Sequence, residues 1–445
     1  MTIARSERRK QLAVAAAAAF CTYFCMYAFR KPFTAGTFEG QEVFGLGLKT
    51  VLVVSQLLGY MLSKFIGIKV ISEMDAKYRA AAIIGLIGSA ELALVGFAFL
   101  PTPFRVLMMF LNGLPLGMVF GLVLAYLEGR QQTEALSAAL CASFIMSSGV
   151  VKSVGRWLVQ DIGVSEFQMP MLTGLLFLPA TLLSVWVLRA TPAPDEDDVR
   201  LRTERRAMTS VDRRRFLTAY WPGLSLLVLV YVILTVVRTV RDDFGVEIWR
   251  DMGVSETPSV FARSETLVAL LVTAMCGLTI WIRHNLNAIR LTVAMMCGSF
   301  GLIAAAAMLQ PTGAISPFAF MVACGVGLYV PYVAFHTTIF ERLIAAARVP
   351  SNLGFLMYLA DAIGYLGYAV VMLMRTSVKE TELVLPFFLG GLWVGAGGCI
   401  VALLAALAYF HRALAVEPAP GSEPAPGVAD EEPPAVAAGD LVPAE

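Results

Sequence analysis

Apolar runs of about 20 residues recur twelve times along this chain of 445 residues. A helix needs that length to cross the hydrocarbon core of a bilayer, where a spanning segment must satisfy its backbone hydrogen bonds internally. The runs lie near residues 12–30, 48–68, 80–100, 104–126, 136–158, 169–188, 219–240, 260–282, 290–309, 317–340, 352–374 and 384–410. This pattern predicts an all-α membrane protein with twelve transmembrane helices.

The composition agrees with a membrane setting. Hydrophobic residues make up 58% of the chain, charged residues only 15%, and the mean hydropathy is +0.72, values outside the range of soluble proteins. The formal net charge is +1, and the basic residues are spread through short loops without a basic domain. We therefore expect the lipid bilayer as a partner and no nucleic acid, and we take the chain to be a monomer.

A charged stretch divides the twelve runs into two sets of six. Residues 1–188 predict an N-terminal six-helix bundle and residues 219–412 a C-terminal one, joined by a cytoplasmic linker at 189–218 that is rich in arginine and acids. Residues 413–445 are rich in Pro, Ala, Gly and acids, a composition that cannot bury enough apolar surface to fold. We expect this last stretch to be a disordered tail.

Basic residues also predict the orientation of the chain. They precede the first run at residues 5–10, follow the second run at residues 69–79 and recur in the linker, whereas the loop at residues 161–168 has none. Cytoplasmic loops carry the excess of Lys and Arg in membrane proteins. We therefore expect both termini in the cytoplasm and the protein in the plasma (inner) membrane.

One arginine ends the same polar stripe in the first run of each half: Tyr23-x3-Tyr27-x2-Arg30 and Tyr231-x3-Thr235-x2-Arg238. An arginine within a membrane-spanning helix costs roughly 2.5–3.5 kcal/mol even on the lenient insertion scale, so a chain keeps one there for a partner or a function. Positions i, i+4 and i+7 share one helix face. The repeat predicts that Arg30 and Arg238 hold an anionic ligand between the two halves, with an ion pair between helices as the alternative.

Two local motifs carry a family resemblance. The matching residues are Tyr23, Tyr27, Arg30, Lys31 and Phe33 in the first run, and Tyr60, Ser63, Lys64 and Phe65 in the second. On these residues the chain resembles the major facilitator superfamily, and within it the organophosphate:phosphate antiporters that carry glycerol 3-phosphate or hexose phosphates. The resemblance implies two pseudo-symmetric six-helix bundles around a central cavity that opens to either side of the membrane in turn.

The resemblance also implies roles for residues in other runs. Acids match positions at which the family pairs carboxylates with basic residues: Asp242 or Asp243, Glu265 and Asp361. The family's substrate-facing histidine in the fifth helix has no counterpart, because no histidine precedes His284. Lys152 lies in that neighbourhood, and a lysine keeps an anion site positive while removing a group that titrates near neutral pH.

These observations single out two sets of residues. The expected substrate-binding residues are Arg30, Arg238, Tyr23, Tyr27, Tyr60, Lys64 and Lys152, and the expected coupling or salt-bridge residues are Lys31, Asp242, Asp243, Glu265, Asp361 and Glu91. Lys31 lies about 100° round the helix from Arg30, so we expect it to pair with an acid of the other half. Glu91 is either a proton carrier or a buried partner of a basic residue. We expect Arg241 at the rim of the site and His336 as a hydrogen-bonded core residue.

No sequence motif indicates a cofactor, a metal site or an enzyme. The seven cysteines lie in apolar runs without a CxxC pair, and the sequence contains no Walker, GxSxG, HExxH or dinucleotide-binding motif. We therefore expect no cofactor, no metal and no enzymatic activity.

The main functional hypothesis is a secondary active transporter of a small organic anion that works by alternating access. The family resemblance implies a phosphorylated anion and exchange for inorganic phosphate. Two alternatives stay open: a non-transporting membrane sensor of a phosphorylated metabolite, and a proton-coupled transporter of another metabolite that uses Glu91, Glu265 or Asp361.

Overall fold

The computed structural model describes residues 2–72, 74–127, 133–191, 210–254, 257–277, 285–347, 353–377 and 384–413. Most of the predicted linker, residues 192–209, and the predicted tail after residue 413 lie outside these ranges. The long elements in the described ranges are all helices.

Six long helices make up the N-terminal half. They are α1 (Thr2–Met26), α2 (Leu48–Ser72), α3 (Ala76–Phe99), α4 (Thr102–Leu127), α5 (Thr133–Gln160) and α6 (Met169–Arg189). The segment between α1 and α2 contains two 3-10 turns, Tyr27–Phe29 and Pro32–Ala35, and the antiparallel strands β1 (Glu42–Val43) and β2 (Leu46–Gly47). Phe44 and Gly45 connect the strands with positive φ angles, as a two-residue hairpin turn requires.

The C-terminal half has the same number of spans. Its helices are α7 (Ser210–Asp243), α8 (Gly245–Asp251), α9 (Ser259–Gly277), α10 (Asn285–Leu309), α11 (Pro317–Ala334), α12 (Phe340–Ala347), α13 (Leu353–Ser377) and α14 (Val384–Ala413). A π-helical turn, Phe335–Ile339, joins α11 directly to α12, so these three elements form one span. α7 begins within the stretch predicted as linker, and Phe216 near its start is buried in the core.

These elements form twelve helical spans within the described ranges. Nine of them are long and apolar enough to cross a membrane. The other three are α1, where Ala13–Phe29 is a shorter apolar helix, α5, which contains Lys152, and α13, which contains Asp361. The prediction of an all-α membrane protein with twelve transmembrane helices is confirmed, with the two short strands as an addition.

α1 ends earlier than the first apolar run predicted. The α-helix stops at Met26, and the following 3-10 turn leaves Arg30 beyond the helix with a φ of −109°. Pro32 explains the break, because it has no N–H to donate and its ring would collide with the carbonyl group of Ala28 in a continued helix. The regular helix face expected for Tyr23, Tyr27 and Arg30 therefore ends before the arginine, and the turn sets the direction of its side chain.

Glycines let α2 and α4 approach each other closely. A Cβ atom at Gly113 would lie 2.0 Å from the carbonyl oxygen of Gln56, and one at Gly117 would lie 2.6 Å from that of Tyr60. Small residues are typical of such close contacts between membrane helices. This packing holds the backbone of Gln56 and Tyr60 against α4.

The two halves meet along two pairs of helices. α5 packs against α9, where a Cβ atom at Gly149 would lie 2.5 Å from the carbonyl oxygen of Phe261, and α2 packs against α13. Within the halves, α1 contacts α4, α5 and α6, and α7 contacts α11, α13 and α14. The space between the halves is therefore bordered by the segments that contain the arginine motifs.

Candidate functional site

A central cavity lies between the two halves. Its walls come from α1 and the turn after it, α2, α4 and α5 on one side, and from α7, α11, the π-helical turn and α13 on the other. The volume open to the centre of a water-sized sphere is about 130 Å³. One water needs at least roughly 10–15 Å³ on this measure, so the cavity has room for several waters or one small metabolite.

Most of the residues expected at the site line this cavity. They are Tyr23, Tyr27, Arg30, Lys31, Tyr60, Lys64, Arg238, Asp242, Asp243 and Asp361. Their arrangement brings together residues from four segments that are far apart in the chain. Whether they bind a substrate remains a prediction.

Arg30 faces the cavity without a carboxylate partner among the described residues. The residue is only 8% exposed, and its guanidinium carbon lies 3.8 Å from the ring centre of Tyr60 and 5.8 Å from that of Tyr27. Its Nε atom is buried without a hydrogen-bond partner. Gln56 holds the backbone in place by donating from Nε2 to the Arg30 carbonyl oxygen at 2.8 Å and to the side chain of Asn112 at 2.8 Å.

Arg238 has a matching environment in the other half. Its guanidinium carbon lies 4.2 Å from the ring centre of Tyr332 and 5.7 Å from that of Tyr329. It donates a long hydrogen bond to the hydroxyl group of Thr239, at 3.4 Å, and its Nε atom is also buried without a partner among the described residues. Stacking a desolvated cation on an aromatic ring contributes about 2 kcal/mol but leaves the charge uncancelled. In the described part of the chain, neither arginine has its charge neutralised.

The lysines near the cavity, by contrast, are bound to acids of the opposite half. Lys31 lies 2.6 Å from Asp242 and 2.5 Å from Asp243, and Lys152 lies 2.5 Å from Asp242. Ser148 also donates to Asp242, at 2.5 Å, and Tyr368 donates to Asp243 at 2.9 Å. This buried cluster joins α5 and the end of α1 to the end of α7.

A second group of contacts reinforces the same side of the protein. Lys49 at the start of α2 lies 2.5 Å from Glu247 in α8, and the surface residues Arg250 and Glu39 also form an ion pair. We call the side where α1 ends, α2 begins and α7 ends the closed face. Ion pairs between the halves seal the cavity there.

Another ion pair crosses the cavity between α2 and α13. Asp361 accepts hydrogen bonds from Lys64 and from the hydroxyl group of Tyr231. Lys64 therefore lines the cavity with its charge already paired. The same contact ties α2 of the N-terminal half to α13 of the C-terminal half.

Lys152 and Glu265 lie outside the cavity lining. Lys152 is bound to the side chain and the backbone carbonyl of Asp242, which places it at the closed face. Glu265 in α9 binds Arg241 at 2.7 Å and 3.2 Å, and Arg241 also donates to the carbonyl oxygen of Met321 at 2.9 Å. The prediction that Arg241 is a rim charge was wrong, because this residue is 3% exposed and holds α7 against α9 and α11.

Glu91 is buried in α3, away from the cavity lining. Neither carboxylate oxygen has a hydrogen-bond partner among the described residues. The side chain is pressed against α6, where a Cβ atom at Gly174 would lie 2.1 Å from Oε2. A basic partner, one of the two expectations for Glu91, is therefore not found in the described part of the chain.

Several cavity residues were not singled out from the sequence. They are Gln56, Thr239, Tyr332 and Tyr365, and the closed face adds Lys49 and Glu247. His336 was expected as a hydrogen-bonded core residue; it is hydrogen-bonded to the Tyr332 carbonyl oxygen, but it lines the cavity in the π-helical turn. No local spacing marks these residues, since Lys49 and Glu247 are 198 positions apart. Among the described residues, no group of three or more His, Cys, Asp or Glu side chains could hold a metal ion.

Solved structures with a similar fold are transporters. The chain aligns with the D-xylose-proton symporter (TM-score 0.60, covering 89% of this chain and 96% of that one) and with the POT family transporter PepTSo (TM-score 0.57, 91% and 98%). It also aligns with a variant of the nucleoside transporter NupG (TM-score 0.55, 90% and 99%). Each is 14% identical in sequence. These likenesses establish the major facilitator fold, and with the apolar helices they make the chain an integral, multi-pass membrane protein.

Sequence comparisons give less detail about function. None of the curated proteins matches the sequence at a significant level. A family model described as a family of unknown function, DUF5690, matches residues 32–413. That range covers most of the chain, from the turn after α1 to the end of α14.

Proposed function

We propose that this chain, which belongs to the family of unknown function DUF5690, is a secondary active transporter of a small organic anion that works by alternating access. One observation carries the proposal. Arg30 and Arg238, one from each half, face the same cavity, and neither has a carboxylate partner among the described residues. A bilayer protein keeps two unneutralised arginines in its interior only if something else supplies the negative charge.

The balance of charge around the cavity defines the ligand further. Lys31 and Lys152 are matched by Asp242 and Asp243, and Lys64 is matched by Asp361. Arg241 and Glu265 cancel in the same way. Arg30 and Arg238 remain, so a ligand with two negative charges would neutralise the site.

A phosphate monoester is the best fit to this requirement. Phosphorylated groups carry about −1.5 to −2 charges at pH 7. Guanidinium groups bind phosphate and carboxylate oxygens through paired hydrogen bonds, which lysine cannot provide. A small dicarboxylate has the same charge and is the second ligand class to test.

Binding of such an anion would also move the two halves. The arginines repel each other when the cavity is empty, and an anion between them removes that repulsion and bridges the halves. The buried ion pairs of the closed face would have to break for the cavity to open on that side. Transport then follows from alternation between the closed-face conformation and one in which these pairs are separated. As part of the proposal, the termini lie in the cytoplasm and the protein lies in the inner membrane.

Three solved structures with a similar fold are transporters, and this supports transport as the function of this chain. Two of them are a D-xylose-proton symporter and a nucleoside transporter. A shared fold leaves the substrate open, so the anion is inferred from the arginines alone. Exchange for inorganic phosphate is the coupling that the motif resemblance favours.

Uptake measurements test the proposal. The purified protein would be reconstituted into phosphate-loaded vesicles, and uptake of labelled glycerol 3-phosphate, glucose 6-phosphate and succinate would be compared between wild type, Arg30→Ala and Arg238→Ala. Arg105→Ala is a matched control, because Arg105 also stacks on an aromatic ring, that of Phe167 at 3.5 Å, but does not line the cavity.

We expect uptake of at least one anion by wild type and Arg105→Ala, and a loss of at least about tenfold in both cavity variants. Equal uptake by all four proteins would refute the role of the arginines. Binding of an anion without uptake would favour the sensor instead.

A further inference from the structure

His336 occupies an unusual position in the wall of the cavity. It lies in the π-helical turn Phe335–Ile339 between α11 and α12. π-helical turns inside α-helices are rare and are often found at functional sites. The imidazole packs on the ring of Tyr332, with centroids 4.4 Å apart, and on that of Tyr231, with centroids 5.9 Å apart. Of the three histidines in the sequence, this is the one found at the cavity within the described residues.

One hydrogen bond defines the state of the ring. The Nδ1 atom lies 2.9 Å from the backbone carbonyl oxygen of Tyr332. A carbonyl oxygen can only accept, so Nδ1 must carry a hydrogen whether the ring is neutral or charged. The Nε2 atom is therefore the position at which His336 gains or loses a proton, and it has no hydrogen-bond partner among the described residues.

Groups on three other helices surround the imidazole. The charged groups that act on it are Asp361 of α13, Lys64 of α2 and Arg238 of α7. The titratable hydroxyl groups facing the same space are those of Tyr231, Tyr332 and Tyr365. Asp361 is shared with Lys64, so the surroundings are positive as long as no anion is bound.

We propose that Nε2 of His336 is a proton-binding position of the anion site, so that the protein takes up a proton together with its substrate. This inference rests on the proposed transport of an anion. A neutral Nε2 can only accept a hydrogen bond, whereas the charged ring donates one to an anion oxygen. In the empty cavity Arg238 and Lys64 oppose a further positive charge, and a bound dianion removes that opposition.

The balance of charge is simple. One proton is transferred from hydronium in the solvent: an O–H bond of hydronium breaks, an N–H bond forms at the Nε2 lone pair of the neutral imidazole, and a water molecule is left. By linkage, an anion that favours the charged ring binds more tightly when protons are available. The imidazolium also becomes a second cation beside Asp361, in competition with Lys64 for the carboxylate that connects α2 to α13. Proton uptake would therefore loosen a contact between the halves.

Calorimetry of anion binding tests the inference. Glycerol 3-phosphate is titrated into the purified, full-length protein at several values between about pH 5.5 and pH 8.5, in buffers with different heats of ionisation, which gives the number of protons taken up per anion. The proteins are wild type, His336→Asn, His336→Gln and His411→Asn. Asparagine can keep the bond to the Tyr332 carbonyl but does not titrate. His411 is exposed near the end of α14 and serves as the control.

We expect wild type and His411→Asn to take up protons that both His336 variants do not. Between about pH 6 and pH 8, the affinity of wild type should fall more steeply with rising pH than that of the variants. The difference should be up to about tenfold for each pH unit, since one proton is linked. The titration of glycerol 3-phosphate itself is common to all four proteins and cancels in the comparison.

The inference is overturned if wild type takes up no proton beyond those that glycerol 3-phosphate itself binds, whether or not the variants fold. Equal uptake by wild type and a folded His336 variant would do the same. Both of these results leave the proposed function intact if Arg30→Ala and Arg238→Ala abolish binding. If wild type binds no anion at any pH, the proposed function fails and this inference fails with it.

Discussion

Asp242 is the residue on which the closed face depends most. Its carboxylate lies 2.6 Å from Lys31 and 2.5 Å from Lys152, accepts a hydrogen bond from Ser148, and is buried. Asp242→Asn keeps the shape of the side chain but removes its charge. Lys31 retains Asp243, whereas Lys152 loses the carboxylate with which it is paired.

The expected cost can be worked out from this geometry. Removal of one partner of a buried ion pair destabilises a protein by about 3–5 kcal/mol, because the other charge is left uncompensated. The loss falls on the conformation in which the halves meet at the closed face. At 1.4 kcal/mol for each factor of ten, the population of that conformation relative to the open one should fall at least about a hundredfold.

Two measurements check this result. The first is the melting temperature, which should be lower in Asp242→Asn. The second is labelling of Thr34→Cys by a water-soluble maleimide, because Thr34 is 1% exposed at the closed face. After subtraction of the labelling of the native cysteines, the introduced cysteine should be labelled slowly when Asp242 is present and rapidly in the Asp242→Asn variant.

A second substitution should restore the stability that Asp242→Asn loses, and a third serves as the control. Lys152→Met in the Asp242→Asn background removes the orphaned charge and should recover most of the loss, since apolar replacements of buried ion pairs are often neutral or stabilising. Glu39→Gln breaks the exposed pair with Arg250 and should change stability by less than about 1 kcal/mol. The reasoning is refuted if Asp242→Asn melts and labels like wild type, or if Lys152→Met gives no recovery.

Three further predictions concern single sites. Glu91→Met should raise the melting temperature and increase the free energy of unfolding by about 1–3 kcal/mol, because it replaces a buried carboxyl group that has no hydrogen-bond partner among the described residues. A lower melting temperature would contradict this. Gly113→Ala should destabilise by about 1–3 kcal/mol, because its Cβ atom would collide with the backbone of Gln56. Gly85→Ala is the control, because a Cβ atom at Gly85 would have no neighbour within 4 Å, and it should be neutral or stabilising. Similar melting temperatures for the two alanine variants would be evidence against the close contact at Gly113. Arg30→Lys should weaken the binding of glycerol 3-phosphate in calorimetry by at least about tenfold, since lysine keeps the charge without the paired hydrogen bonds; an unchanged affinity would exclude bidentate binding by this residue.

Local spacing in the sequence was sufficient to indicate the twelve spans and the two arginine motifs. Each span depends on about 20 neighbouring residues that are predominantly apolar, so the information lies in one continuous stretch. Arg30 and Arg238 could be singled out for the same reason, because a charge within an apolar run is visible without knowledge of its neighbours in space. Even the early end of α1 has a local cause, the proline at position 32.

Only the tertiary structure decided which charges are paired. Arg30 and Arg241 have the same charge and both lie at the ends of apolar runs, yet Arg241 is neutralised by Glu265 and Arg30 has no such partner in the described chain. Lys152 was expected at the substrate, but the packing of α5 against the other half directs it to Asp242. His336 reaches the cavity through a π-helical turn that no residue pattern announces. These outcomes depend on which helix faces meet in the fold, and contacts between residues 24 to 297 positions apart leave no spacing in the sequence to read.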